Sequence, residues 1–597
     1  MQNRFFLSIL IILSIFFSTK IWEFIKLDGS DIQILGEYYN NGHHALNDPL
    51  RYIVFIFIPL LTFTLYKIFC NKSSVSFLNL KFDYNLEEKK INYLFYIYSV
   101  SIFFFILEFL SITFPLNLLD IFHEGQKLSA PFKSLLDNKL WSGSFVTTGI
   151  IDESLGVKLF WNYIGNSSIG SMRFVQLLYI FFLKLSLVML IYQISKNVIL
   201  APEFKILFYI ILIFISQYLI DYNFETGDNI TYRDLPIVLC LVFFIKNLIN
   251  KNINLTLILI SFFAVTSFFW SIDRALVLNL FIIFIFIIFF LNDRIKEIYL
   301  IFISIIIFWF IFYIIMGEEF YYFMENTFSV FKDQNYIHGI IHPKPFSDME
   351  NSSRATKSLL LITFSCIISL NYLFSKKKNN NNLKIIVCSI TLIAFLSYLY
   401  ALSRSDGGHI KQTTGFLILT FSIVILFNVL KFFNNNVRKK LSKNLLFFLI
   451  ILPSTTLLIL NFKINFENIL NYHKRLNEYI LLEDKNFLSD KQNYLISELK
   501  PMLKNQNCIQ LFTYDAALPY LLKKKNCSKY YFIYSMGSIK HQKEYIENLN
   551  EINVIIYRGQ TDNWGLIPQE KLYLVDEFIN SRYSESIKIY DWEIKFK

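Results

Sequence analysis

Charge is what this chain has least of. Only 17% of its 597 residues are Asp, Glu, Lys or Arg, against 54% hydrophobic, a balance that argues against one soluble core. No small-residue A-x-A cleavage site follows the apolar run Phe5–Phe17, so that run reads as an uncleaved first helix and not as a signal peptide. No nucleic-acid motif accompanies the formal charge of +11, which therefore reflects membrane topology, with no nucleic-acid partner expected. Cysteine is scarce, six in all. Cys70, Cys240, Cys366 and Cys388 lie in or beside apolar runs and read as packing residues. Cys508 and Cys527 lie in a polar tail, where a disulfide is open to them if the tail is outside the cytoplasm. That tail has no Gly-rich dinucleotide fingerprint and no Ser or Cys nucleophile elbow.

What the chain has is apolar runs. About 20 apolar residues span a bilayer, and the pattern predicts helices near 4–24, 51–69, 93–114, 173–194, 205–220, 235–249, 253–270, 275–291, 298–316, 357–375, 384–402, 413–431 and 445–461. The expectation is an all-α polytopic membrane domain of about thirteen spans over residues 1–461. A small α/β domain follows over 462–597, because strand patterns at Cys508–Thr513, Tyr530–Tyr534 and Val554–Tyr557 alternate with helical ones.

The connecting segments alternate in charge. Lys72, Lys81, Lys89, Lys90, Lys246, Lys251, Lys376–Lys378 and Arg438–Lys440 fall in one set of turns. Asp120, His123, Glu124, Asp221, Asp228, Asp234, Arg404, Asp406 and His409 fall in the other. The positive-inside rule makes the Lys-rich set cytoplasmic. The second set and the tail are then extracytoplasmic, as thirteen spans from a cytoplasmic N-terminus also require.

Three outer clusters can carry chemistry. Asp120, His123 and Glu124 share a helical face just after the third span; the plain alternative is a solvated helix cap. Asp221–Pro236 is dense in acid and holds Asp228, Arg233 and Asp234, with Asp234 also suited to cap the next helix. Ser403–Lys411 places Arg404, His409 and Lys411 around Gly407 and Gly408, a cradle for phosphate or simply a tight polar turn. Ser271–Arg274 is a further contributor, although an Asp–Arg neighbour pair is more often structural. His338 and His342 have metal-compatible spacing, but Pro343 and Pro345 follow and leave no helix assured. In the loop 115–172, Leu155–Ile164 is amphipathic, with Trp161 and Tyr163 suited to a membrane interface.

The first outer loop resembles that of polytopic glycosyltransferases of the GT-C superfold, which use polyprenyl-phosphate-linked sugars. The resemblance rests on Asp120 and Glu124, a loop helix, Gly143 to Gly149, Leu155-Gly156-Val157-Lys158-Leu159-Phe160-Trp161, and then Ile164-Gly165-Asn166-Ser167-Ser168-Ile169-Gly170-Ser171-Met172-Arg173 entering the next helix. The acidic second loop, with Asp228, Arg233 and Asp234, is similar in placement. The pattern covers roughly residues 93–250.

The resemblance implies transfer of a sugar from a polyprenyl-phosphate donor to a lipid, glycan or protein acceptor, at the outer face of a bacterial inner membrane. Asp120 would be the general base on the acceptor hydroxyl. Arg404 and His409, helped by Lys411, would hold the donor phosphate. Asp234 and Glu124 would orient the acceptor or hold a divalent ion, Mg or Mn, with His123, Asp228 and Arg233 binding substrate. Two rival readings are an O-antigen-type polymerase or ligase and a lipid-linked substrate transporter or flippase. A transporter is expected to place ionisable groups within spans and to show repeats; Glu108 is the one clear acid deep in a span, and no duplicated half is apparent.

Overall fold

The computed structural model describes residues 2–27, 44–70, 82, 93–220, 228–249, 254–337, 340–375, 380–402, 404–436, 453, 455–456, 459–460, 462–536, 538–564 and 567–597. Asp28, Asp31, Asp221, Glu225, His338 and most of the expected last span, 445–461, lie outside these.

Nine helices among the described residues are long and apolar enough to cross a membrane, which makes the chain a multi-pass membrane protein. Thirteen were expected; the last, 445–461, lies mostly outside the described residues, and three others form short helices. Pro202–Gln217, Leu235–Ile249 and Asn254–Trp270 are helices of 16, 15 and 17 residues. At about 1.5 Å per residue they fall short of a hydrocarbon core of about 30 Å. Two of them are packed inside the bundle: Leu235–Ile249 lies against Ile169–Asn197 and Asn254–Trp270, with Ile237, Val238, Leu241, Phe244 and Leu248 fully buried.

The turns sort to two ends of the bundle. At one end asparagines tie turns together. Asn292 Oδ1 accepts from Phe82 N (2.7 Å), Asn380 Oδ1 from Ile199 N (3.1 Å), and Asn382 Nδ2 donates to Asn197 Oδ1 (3.0 Å). At the other end the described parts of the three Asp-, Arg- and His-bearing clusters gather with the tail. Ile272 N donates to Thr148 O (2.6 Å), Gly415 N to Asn229 O (3.1 Å), and Ala517 N to Ile121 O (3.0 Å).

The first outer loop is mostly helical, at His123–Asp137 and Gly156–Ile164, the latter preceded by a π-turn at Ile151–Leu155. Trp161 does not lie in the membrane interface as expected. It is buried, stacks on Tyr520 at 5.5 Å, and donates Nε1–H to Ser171 Oγ. Tyr163 is the exposed one. The glycine at the start of the loop helix permits this docking, because a Cβ on Gly125 would sit 2.3 Å from Ala517 N of the tail.

The tail holds a five-stranded sheet of order β2-β1-β3-β5-β4: β1 Cys508–Leu511, β2 Lys525–Asn526, β3 Val554–Arg558, β4 Glu585–Ile589 and β5 Trp592–Phe596. β2, β1 and β3 run parallel, whereas β5 and β4 add antiparallel. Cys508 and Cys527 form a disulfide, with Cα atoms 5.1 Å apart. The expected strand Tyr530–Tyr534 is instead irregular chain entering a 3-10 turn at Ile533–Ser535. Tyr530–Ile533 are consecutively buried. Their hydroxyls reach different elements, Tyr530 to Glu544 and Tyr531 to Glu153, which no single sheet face allows. Tail and loop share their apolar cores: Leu128, Trp161 and Met172 pack in one cluster with Leu495, Leu518 and Trp592.

Candidate functional site

The acidic segment after the third span is held by an ion pair. Arg173, at the start of its span and fully buried, meets both oxygens of Glu124 through Nε (2.6 Å) and Nη2 (2.8 Å). The same guanidinium donates to the carbonyls of Asn117 and Leu118. Glu124 also accepts from Asp120 N. Its carboxylate is therefore closed, and it fixes the path of 115–124 instead of facing an acceptor or a metal ion.

Asp120 is differently placed. One oxygen accepts from the N–H groups of Phe122 and His123, and the other lies 2.7 Å from His123 Nδ1. Its side chain remains 39% exposed. Burial pushes its carboxyl up, but His123 and the two backbone donors outweigh that and hold it below the usual range.

One helical turn beyond His123 lies Lys127, which leads into the second cluster. Lys127 Nζ is 3.3 Å from Asp152 and also reaches the Tyr232 hydroxyl. Asp152 accepts from Tyr232 Oη (2.8 Å) and Thr148 Oγ1 (3.1 Å), with Arg233 Nε at 3.5 Å. Burial alone would push Asp152 up; Lys127 and Arg233 reverse that and keep it ionised. Arg233 is half-buried, and Tyr400 and Asp152 raise it well above its ordinary value against the pull of burial.

Asp234 caps Thr231 N (2.9 Å) and pairs with Arg274 Nε at 2.7 Å, while Arg274 Nη1 lies 3.2 Å from Asp273. Asp234 and Arg274 are both fully buried. Asp234 thus serves as the third residue of a capping box whose N-cap is Thr231, not as the cap of the next helix that was expected, and its Oδ1 lies beside Arg274 without a hydrogen bond. Asp228 is half-buried beside Asn229.

The third cluster closes the group. Arg233 Nη1 and Arg404 Nη1 approach the same Tyr400 hydroxyl, at 3.4 and 3.5 Å. Arg274 stacks over the Tyr400 ring at 4.9 Å. Asp406 caps the short helix Gly407–Gln412 by accepting from His409 N, and its second oxygen takes the His409 ring. The glycine turn is tight for a reason beyond φ: a Cβ on Gly407 would sit 2.2 Å from Arg354 Nη1. Lys411 is exposed on the same helix. His342 does not join this group. It is buried against Tyr398 Oη (3.0 Å), the hydrogen bonding of a packed imidazole.

The tail joins the first cluster to the third. Phe122, between Asp120 and His123, packs edge-on to Tyr534 at 5.2 Å. Burial raises the Tyr534 phenol, and Arg404 beside it pulls the other way. Asp120–His123, Lys127–Asp152–Tyr232–Arg233 and Arg404–His409 therefore form one contiguous zone around Tyr400 and Tyr534. Sequence reasoning missed Lys127, Asp152, Tyr400, Tyr534 and Arg354. Only Asp152 had a signal: adjacent acids, Asp152-Glu153, in an outer loop.

Chemically, the zone can hold an anion. Asp152, Asp234 and Asp406 are each met by a basic side chain, while Arg354 and Arg404 have no carboxylate ion-pair partner among the described residues. No group of three or more ligating side chains gathers among the described residues.

No protein-family model and no curated protein matches the chain. Among solved structures it is similar to the archaeal oligosaccharyltransferase AglB from Archaeoglobus fulgidus, in complex with an inhibitory peptide and a dolichol-phosphate. The TM-score is 0.38 at 8% identity, over 83% of this chain and 72% of that one. At that level the likeness carries no argument for fold or activity.

Proposed function

We propose that the protein is a membrane glycosyltransferase that moves a sugar from a polyprenyl-phosphate donor to an acceptor hydroxyl on the extracytoplasmic face. The observation that carries this reading is the convergence of Arg233 and Arg404 on Tyr400, joined through Phe122 and Tyr534 to the half-exposed Asp120. A planar guanidinium fork suits phosphate oxygens. The Cys508–Cys527 disulfide favours an oxidising compartment for that end of the bundle, as the Lys bias of the opposite turns does.

In this mechanism the acceptor oxygen attacks the sugar C1 and the C1–O bond to phosphate breaks, with its electron pair leaving on the polyprenyl phosphate. The acceptor proton passes to Asp120, which His123 and the helix N–H groups keep ionised and oriented. The phosphodiester gains a negative charge as it becomes a monoester, and Arg404 and Arg233 stabilise that gain. Glu124, Asp152 and Asp234 act as positioning residues through Arg173, Arg233 and Arg274. No step is routed through a metal ion.

The test is turnover of a radiolabelled polyprenyl-phosphate sugar by the full chain in proteoliposomes. Asp120→Asn should abolish transfer while leaving donor binding intact. Arg404→Ala should weaken donor binding more than acceptor binding, and Arg404→Lys should still impair turnover. Substantial activity in Asp120→Asn, or unchanged donor affinity in Arg404→Ala, refutes the assignment. Net movement of the lipid-linked sugar across the bilayer without transfer would favour a flippase.

A further inference from the structure

The tail reaches the bundle through two short helices, Phe466–Leu470 and Tyr472–Ile480. They are pinned to the end of the span Tyr93–Ser111. Asn468 Nδ2 donates to Ser111 O (2.9 Å), Tyr479 Oη to Pro115 O (3.0 Å), and Ser111 Oγ to Lys463 O (2.9 Å). Phe462 stacks on Phe104 of the same span. The helices therefore sit at the depth where that span leaves the membrane.

Large apolar side chains outside the spans are exposed here: Leu116 and Leu118 after the span, and Phe466, Leu470 and Leu481 on or beside the two helices. Between them runs a groove enclosing about 750 Å³, part of it open, lined by Phe114, Leu116, Asn468, Arg475, Glu478 and Tyr479. Arg475 lies over the Phe114 ring at 5.4 Å and donates one Nη to Ile112 O. It has no carboxylate partner among the described residues, because Glu478 pairs with Lys474.

We infer that this groove is a binding site for an anionic glycerophospholipid of the adjacent leaflet, with its phosphate on Arg475 and acyl chains along Leu116 and Leu482. Exposed apolar side chains at a helix–bilayer boundary are buried by lipid at that depth. The remaining Nη donors of Arg475 suit a phosphate, and an unpaired cation at the headgroup level favours anionic over zwitterionic lipid. The site is separate from the Tyr400 zone and does not depend on the glycosyl-transfer reading.

The test uses the full chain in nanodiscs of equal phosphatidylglycerol and phosphatidylcholine, with retained lipid counted by native mass spectrometry. The wild-type protein should retain phosphatidylglycerol preferentially, and Arg475→Ala should lower that preference about five-fold, as expected for one basic group at the surface. Arg475 also braces Ile112, so a second variant leaves it intact: Glu478→Gln removes the nearest negative charge and should raise phosphatidylglycerol retention. Equal retention of the two lipids by the wild-type protein, or a preference unchanged in both variants, overturns the site. Displacement of phosphatidylglycerol by a short-chain polyprenyl phosphate, or by millimolar inorganic phosphate, would assign the groove to another ligand and overturn it as well.

Discussion

Glu124 offers the sharpest separation of structural from catalytic acids. Its partner Arg173 has a side chain with no exposed surface, and Glu124 itself is 11% exposed. Glu124→Ala would leave a guanidinium buried with only carbonyls around it. Removing one partner of a buried pair costs about 3–5 kcal/mol, whereas replacing both with apolar groups is often neutral. Thermal unfolding of the detergent-solubilised protein should therefore fall by several degrees in Glu124→Ala. It should recover in large part in the double variant Glu124→Ala/Arg173→Met, since methionine fills much of the arginine stem's volume. Asp120→Asn, four residues away and half-exposed, should shift unfolding little. If Glu124→Ala unfolds like the wild-type protein yet loses sugar transfer, Glu124 acts on substrate and the ion pair is not its role.

Four further outcomes are expected. Burial holds the His541 imidazole down to about 4, against about 6.5 for the free side chain. Its folded value is depressed, so the stability it contributes is present above pH 6.5 and is lost as pH falls towards 4, by at most about 3 kcal/mol. Burial raises Asp333, 3.7 Å away, in the opposing sense, so unfolding scans between pH 7 and 4.5 should show a net loss that His541→Gln flattens. Gly125→Ala should displace the tail from the first loop, because its Cβ would meet the Ala516–Ala517 backbone; protease sensitivity of the 462–597 region reports this. Replacing Cys508 and Cys527 with serine should cost about 3 kcal/mol for a loop of 19 residues, read as lower thermal stability without loss of lipid-linked donor binding. Asp152→Asn should weaken donor binding while sparing expression less than Asp120→Asn does, because it leaves the half-buried Lys127 and Arg233 without the carboxylate they share; radiolabelled donor retention and purified yield are the two readouts.

Much of this architecture was legible in the chain itself. Span positions follow from runs of apolar residues, a one-dimensional property that the bilayer reads directly. The sidedness of the charges sorts the turns into two sets; the described Asp, Arg and His residues of the second set gather at one end of the bundle, and most of the Lys-rich set lies outside the described residues. Asp120, Arg233 and Arg404 were recognisable because charge is rare here and each sits beside a span. The position of Cys508 and Cys527 around a strand and a return left a disulfide open to them, and the structure forms it. Contact between distant segments was not legible. That Glu124 and Asp234 are met by Arg173 and Arg274, that Tyr400 stands between Arg233 and Arg404, and that Tyr530–Tyr534 folds as buried irregular chain all depend on which side chains of separate segments meet in space. So does the packing of the short helices Leu235–Ile249 and Asn254–Trp270 inside the bundle. Local pattern sets which residues enter the membrane and which face water, because each residue meets that choice alone. Whether a carboxylate is free for chemistry or consumed by a guanidinium is a property of pairs, and only the tertiary structure brings the pairs together.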